Sequence, residues 1–168
     1  MKRNNMGFTL VEMLCTIVVM LLVSATVTVG IRLAVESYTR SITASESQVL
    51  CSTILDTVTD ELRFGTVDDW GNPVRFHSDR YRGIRSFNAE GGKIVVEPDS
   101  TEDGMVTEKL LPDKSYPNGM RAVVETSGNE TDKIVTVVVR ITDSKGNKLI
   151  ERKREVEILN VPEDKTNG

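Results

Sequence analysis

Cysteine, histidine, tryptophan and proline are all scarce in this chain. Its 168 residues include two Cys, one His, one Trp and five Pro, and no proline precedes Pro73. Two cysteines exclude a disulfide-dense mini-protein. One histidine leaves no Cys/His zinc spacing, and neither a G-x-S-x-G elbow nor a phosphate-cradling glycine loop occurs. Basic residues are in deficit as well: 21 Lys and Arg stand against 25 Asp and Glu, a formal net charge of −4 at pH 7. That balance rules out a basic nucleic-acid-binding tail. With 39% hydrophobic residues, the chain is not a disordered polyampholyte and has room for one domain.

What is present is unevenly spread. Between Phe8 and Ile31, 17 of 24 residues are hydrophobic and Glu12 is the only charge. Setting aside Lys2, Arg3 and Glu12 leaves 19 basic against 24 acidic residues, so the body carries −5. Met13 to Ile31 is an uncharged run of 19 residues. As a helix it would span about 28 Å, close to a hydrocarbon core of about 30 Å. Lys2 and Arg3 in front of the run favour a cytoplasmic start, with everything after Arg32 exported. A signal anchor and a cleavable signal peptide both fit this pattern. Val23-Ser24-Ala25 satisfies the small-residue rule of ordinary signal peptidase, and cleavage after Ala25 would release an exported soluble binding domain from Thr26 onward; left uncleaved, the segment would anchor that domain, with no filament role in either case. That alternative leaves Glu12 unexplained inside the apolar segment. A charge at the centre of a span costs up to about 3 kcal/mol on insertion scales, so Glu12 either reaches the interface or has a partner.

The residues around Glu12 add a second argument. Met6-Gly7-Phe8-Thr9-Leu10-Val11-Glu12-Met13-Leu14, after a short basic leader and before an unbroken apolar helix, resembles the type IV prepilin signature of pilins and pseudopilins. The resemblance covers about the first 31 residues. It implies that a prepilin peptidase cuts after Gly7, that the new amino terminus on Phe8 is N-methylated, and that Glu12 pairs with such an amine in an assembled filament. Gly7 lets a peptidase approach the bond closely because it has no side chain. It also implies other pilin or pseudopilin subunits, an inner-membrane assembly platform and the lipid bilayer as partners. The implied location is a single-pass cytoplasmic-membrane protein with its C-terminal domain outside, joining a surface or periplasm-spanning filament. The resemblance implies a structural subunit, a minor pilin or pseudopilin, of a pilus, type II secretion or competence filament, with no enzyme activity, cofactor, catalytic residue or metal. Many major pilins carry a proline late in the apolar helix; here Gly30 is the only helix-weakening residue nearby.

The implied fold class is α+β: a long N-terminal helix packed on a C-terminal antiparallel β-sheet head. The expected division is a leader at 1–7, a transmembrane and assembly helix at 8–31, the exported half of the helix at 32–64 and the head with a polar tail at 65–168. Residues 33–63 contain neither Pro nor Gly, so one helix is expected from Phe8 to about Arg63, with Gly65 as its stop. Val35, Tyr38, Ile42 and Val49, then Leu50, Ile54, Val58 and Leu62, mark its apolar stripe. Cys15 and Cys51 would then lie about 54 Å apart along it, too far for a disulfide. Asp68–Pro73 reads as irregular turn, and strands are expected at Ile84–Phe87, Lys93–Glu97, Arg121–Glu125, Ile134–Thr142 and Leu149–Leu159. The hairpin at Asp143–Lys148 leads into a heavily charged last strand, read as a protected edge with a subunit contact as the alternative. Pro98–Gly119 reads as a surface loop, and Val161–Gly168 as a frayed tail.

Few residues of the head suggest chemistry. His77 stands beside Ser78 and Asp79, but adjacency in sequence is no triad, and a surface histidine is expected. Asp68/Asp69 and Asp99/Glu102/Asp103 are read as solvated turn acids; calcium is the alternative, though neither matches an EF-hand. Arg75, Arg80, Arg82 and Arg85 suggest DNA phosphate contact in a competence filament. The acidity of the body favours salt-bridging instead. Asn129-Glu130-Thr131 matches the N-glycosylation tripeptide.

Overall fold

The computed structural model describes residues 9–99 and 104–160. Gly7, Phe8, Glu102, Asp103 and the tail Val161–Gly168 lie outside the described residues. The chain divides into two units, Met1–Thr43 and Ala44–Gly168, to both of which a single helix α1 (Leu10–Phe64) contributes.

In the first unit α1 carries no buried side chain. Its hydroxyls satisfy themselves: Thr16, Ser24, Thr26 and Thr28 each donate to a carbonyl three or four residues back, at 2.8 Å. Such back-bonding removes the desolvation cost of a hydroxyl in an apolar helix. Val35, Tyr38 and Ile42, expected on the covered stripe, are exposed.

The second unit is an antiparallel head built on the last third of α1. The strands are β1 (Thr66–Asp69), β2 (Arg75–Ser78), β3 (Tyr81–Glu90), β4 (Lys93–Pro98), β5 (Glu108–Lys109), β6 (Arg121–Asn129), β7 (Ile134–Thr142) and β8 (Lys148–Glu157). They form two sheets rather than the single sheet expected: a five-stranded meander β1-β2-β3-β4-β5 and a three-stranded one, β6-β7-β8. Ala122 N–H donates to the Gly92 carbonyl at 2.8 Å, where the two sheets meet. The helix residues beneath them are Ser47, Leu50, Cys51, Ile54, Leu55, Val58, Thr59 and Leu62, all buried. Val49, also expected on the stripe, is 64% exposed. Ser47 and Thr59 enter the core because each hydroxyl donates back to its own helix, to the Ala44 and Asp56 carbonyls.

β7 is the central strand of its sheet, and Val135, Val137, Val139 and Ile141 turn inward. Its period-2 pattern is what a strand with one face on a core requires. Phe76 of β2 stacks on Phe87 of β3 with ring centroids 4.8 Å apart. The segment read as irregular turn is strand up to Asp69, and β2 was not expected at all. Among the described residues, the loop expected at Pro98–Gly119 holds β5 and, after it, the 3-10 turns Asp113–Ser115 and Pro117–Gly119.

The C-terminal end of α1 is closed partly by its own backbone and partly by the head. Gly65 N–H donates to the Glu61 carbonyl at 2.9 Å. A Cβ on Gly65 would lie 2.7 Å from that carbonyl oxygen and 2.9 Å from that of His77, so glycine is required by close approach. Asn160 Nδ2 then donates to the Phe64 carbonyl at 2.8 Å, satisfying one of the orphan acceptors of the last turn.

Candidate assembly and processing site

The start of α1 is built by its own first residues. Thr9 Oγ1 accepts the Glu12 N–H at 3.3 Å, and the Thr9 carbonyl accepts the Met13 N–H at 3.2 Å. Thr9-Leu10-Val11-Glu12 therefore has the Thr-x-x-Glu spacing of a capping box, with Thr9 as the N-cap and Glu12 three residues on. The Thr-x-x-Glu spacing that gives Thr9 this role is visible in the sequence itself. Glu12 sits in the first turn, where the helix dipole favours a carboxylate. It is exposed, as are the fourteen large apolar side chains from Leu10 to Ile31. α1 is long and apolar enough to cross a membrane. Beyond Arg32 the helix becomes polar, and Arg40 pairs with Glu36 at 2.6 Å.

The head offers chemistry far less support. His77 is exposed while Ser78, the next residue on β2, is buried on the opposite face. Ser78 Oγ donates to Glu61 Oε2 at 3.1 Å and accepts the Arg80 N–H, and Arg80 Nη1 donates to Glu61 Oε1 at 3.0 Å. Ser78 is thus a structural link between α1 and β2, and His77 does not touch it. The Glu61 hydrogen bond holds the Arg80 guanidinium above its ordinary pKa.

Nor do the four arginines form one phosphate-binding face. Arg75 bridges to Asp99 at 3.2 Å. Arg85 is buried, 2% exposed, and donates from Nε to the Arg82 carbonyl and from Nη1 to the Val106 carbonyl, both at 2.8 Å. Tyr81 lies between Arg80 and Arg85, whose guanidinium carbons are 5.4 and 6.0 Å from its ring centroid. Burial pushes the Tyr81 phenol up despite those cations.

Among the acidic turn residues, Asp69 accepts the Gly71 N–H at 3.0 Å. Among the described residues no three His, Cys, Asp or Glu side chains group to hold a metal. On β8, Arg154 reaches Asp56 at 2.6 Å, Lys153 meets Glu155 at 2.8 Å and Glu151 pairs with Arg140 of β7. Hydrogen bonds from Arg140 and Lys153 hold the Glu151 and Glu155 carboxyls below their usual range. Among the described residues β8 pairs only with β7, so its charges line an edge strand. Both cysteines are free, Cys15 exposed and Cys51 buried. Burial pushes the Cys51 thiol up.

No curated protein and no solved structure matches the chain. The N-terminal segment does match a family model, the prokaryotic N-terminal methylation motif, over residues 2–28. The matched stretch contains Gly7, Phe8, the Thr9 cap and Glu12, together with most of the uncharged run. The chain carries the type IV pilin and pseudopilin signature at its N-terminus, ahead of an α+β head of pilin-like layout.

Proposed function

We propose that this chain is a minor pilin or pseudopilin, a structural subunit of a type IV pilus, type II secretion or competence filament. Residues 1–7 are the leader, 8–31 the transmembrane and assembly helix, 32–64 its exported half and 65–168 the head. A prepilin peptidase cuts after Gly7 on the cytoplasmic side, and the amine exposed on Phe8 is N-methylated. The subunit waits in the cytoplasmic membrane with its head outside. An inner-membrane assembly platform then extracts the helix into a bundle of neighbouring subunits. The role needs no cofactor and no catalytic residue of this chain.

One observation carries this reading: the methylation motif over residues 2–28 coincides with a helix whose first turn holds the single carboxylate ahead of an uncharged membrane-length run. Cleavage after Gly7 frees a cation four residues before Glu12. In an apolar surrounding each charge needs the other, and removing one partner of such a pair typically costs about 3–5 kcal/mol. Glu12 acts as a register device for assembly rather than as an anchor.

Two measurements test this. N-terminal sequencing of the mature chain is expected to begin at methylated Phe8; a start at Thr26 would make the protein an exported binding domain and overturn the filament role. Glu12→Ala is expected to leave membrane insertion intact while the chain is lost from sheared surface filaments. Unchanged incorporation refutes the pairing role.

A further inference from the structure

The connection between β6 and β7 carries Asn129-Glu130-Thr131, which assembly through the helix does not use. Asn129 is the last residue of β6 and stands opposite Ile134 in the ladder, so Glu130–Lys133 form a four-residue turn. Asn129, Glu130, Thr131, Asp132 and Lys133 are all exposed. Asn129 Oδ1 accepts the N–H groups of Thr131 at 3.0 Å and Asp132 at 3.3 Å. Its Nδ2 donates to Asp132 Oδ2 at 2.6 Å. The carbonyl end of the amide is thus tied down to the turn, and the nitrogen end lies beside a carboxylate at the surface. Next to it is an open polar hollow of about 270 Å3, lined by Ser127, Asn129, Asp132, Thr136 and Glu155 among others.

We infer that Asn129 is an acceptor for N-linked glycosylation, taking an oligosaccharide from a polyprenyl-diphosphate-linked donor on the outer face of the membrane. Asn-x-Thr with x other than proline is the tripeptide that oligosaccharyl transferases read, and glycans at such sites are bulky, solubilising and superficial. Both conditions hold: residue 130 is Glu, and the whole turn is accessible without unfolding β6 or β7. In the transfer, Nδ2 forms a bond to the anomeric carbon of the first sugar while the anomeric carbon–oxygen bond breaks. Polyprenyl diphosphate leaves with the electron pair, and the Nδ2 proton passes to a carboxylate. Asp132 already accepts a hydrogen bond from that nitrogen, so the amide N–H is polarised in the direction the proton must leave. The hydroxyl and carboxylate groups of Ser127, Thr136, Asp132 and Glu155 give the first sugar ring hydrogen-bond partners on the surface of the sheet. The attachment leaves the core untouched, because Asn129 lies on the outward face of β6.

The inference rests on the export of the head proposed above, and the experiment separates the two. The full chain is purified from its native cells, and trypsin releases Ala122–Lys133, whose only asparagine is Asn129. In parallel, protease added to intact spheroplasts reports whether the head is outside. The expected result is an accessible head and a peptide heavier by a glycan, with fragmentation placing the sugar on Asn129. Asn129→Gln and Thr131→Ala abolish the added mass, and Thr131→Ser retains it. An accessible head with a bare peptide overturns the glycosylation site and leaves export standing. A protected head overturns both. Sugar that persists in Asn129→Gln also overturns the site, since it would then sit on a serine or threonine of the same peptide.

Discussion

Ile54 and Val49 lie five residues apart on α1 and differ in what covers them: Ile54 is fully buried in the head core, whereas Val49 is 64% exposed. Ile54→Ala removes three methyl or methylene groups, worth about 0.8 kcal/mol each, or about 2.4 kcal/mol in all. The void left behind adds to this. At about 24 cal/mol per Å3, a residual cavity of roughly 75 Å3 contributes up to about 1.8 kcal/mol if the two sheets do not collapse into it. The sum is about 2.5–4 kcal/mol. Both substitutions replace a β-branched residue by alanine in one helix, so their small gains in helix propensity, a few tenths of a kcal/mol each, cancel in the comparison. Val49→Ala should change stability by no more than about 0.5 kcal/mol. The assay is thermal unfolding of the full chain in detergent micelles, followed by the fluorescence of Trp70, the only tryptophan. A unit of this size shifts by about 3–5 °C per kcal/mol, so Ile54→Ala is expected to melt about 10 °C lower or more, and Val49→Ala within about 2 °C of the parent. Equal shifts for the two variants would refute the placement of the head on the Leu50–Ile54–Val58–Leu62 face.

Two further outcomes follow from the head. A Cβ on Gly128 of β6 would lie 2.9 Å from the Trp70 carbonyl oxygen and 3.0 Å from its Cα, both backbone atoms; the same oxygen accepts the Gly128 N–H at 3.1 Å. Gly128→Ala must therefore push the chain at Trp70 off β6. It is expected to cost about 1–3 kcal/mol in chemical denaturation and to shift Trp70 emission in the native state; unchanged emission and midpoint would refute the contact. On the acid side, Asp113 is held low by hydrogen bonds from Lys109 and Lys93, Asp143 by those from Asn147, Glu151 by Arg140 and Glu155 by Lys153. Depressed carboxylates stabilise the head above their unfolded values near pH 4 and lose that contribution as pH falls through the folded ones. Buried Cys51 has the opposite sign: its raised pKa favours the head below about pH 8.5, and this fades as pH rises toward the folded value. Midpoints measured from pH 2 to 10 should therefore fall at both ends, with the acid limb sensitive to salt and the alkaline limb flattened by Cys51→Ala; a profile flat below pH 4 contradicts the carboxylate pairs.

How much of this was legible depends on how local each signal is. β7 announced itself because Val135, Val137, Val139 and Ile141 alternate with less apolar residues, and that pattern depends on one strand alone. The end of α1 was legible at Gly65 for a related reason, since a helix stop is a local event. β1 and β2 were hidden because they are four residues each and rich in Asp, Arg and His, so their pairing partners rather than their composition make them strands. The division into two sheets is likewise a matter of long-range pairing that no single segment encodes. Arg85 reads in the sequence as one of four surface charges; it is buried because two carbonyls, of Arg82 on β3 and of Val106 between β4 and β5, come within reach of its guanidinium only once those segments have folded together. At the candidate site, Glu12 was conspicuous as a lone charge in an apolar run. Thr9 is less conspicuous, because a threonine beside an apolar segment stands out only through the capping geometry it adopts.

The apolar half of α1 constrains function more tightly than any residue of the head. A single helix cannot bury its own side chains, and from Leu10 to Ile31 fourteen large apolar ones are exposed. At about 1.5–3 kcal/mol each, leaving them in water would cost tens of kcal/mol, more than the roughly 5–15 kcal/mol that holds an ordinary domain together. Cover must come from lipid or from apolar helices of other subunits, and for aliphatic side chains these two are nearly equivalent. The hydroxyls of Thr16, Ser24, Thr26 and Thr28 do not discriminate either, because each is already satisfied by a carbonyl of its own helix. On the filament reading, that leaves Glu12 as the group that distinguishes the two surroundings. In lipid its charge has only the helix N-terminus and the interface to relieve it, whereas beside another subunit it gains a cationic amine. On that reading the membrane would store the subunit without a strong preference from its apolar surface, and the carboxylate of Glu12 would tip the helix toward the bundle.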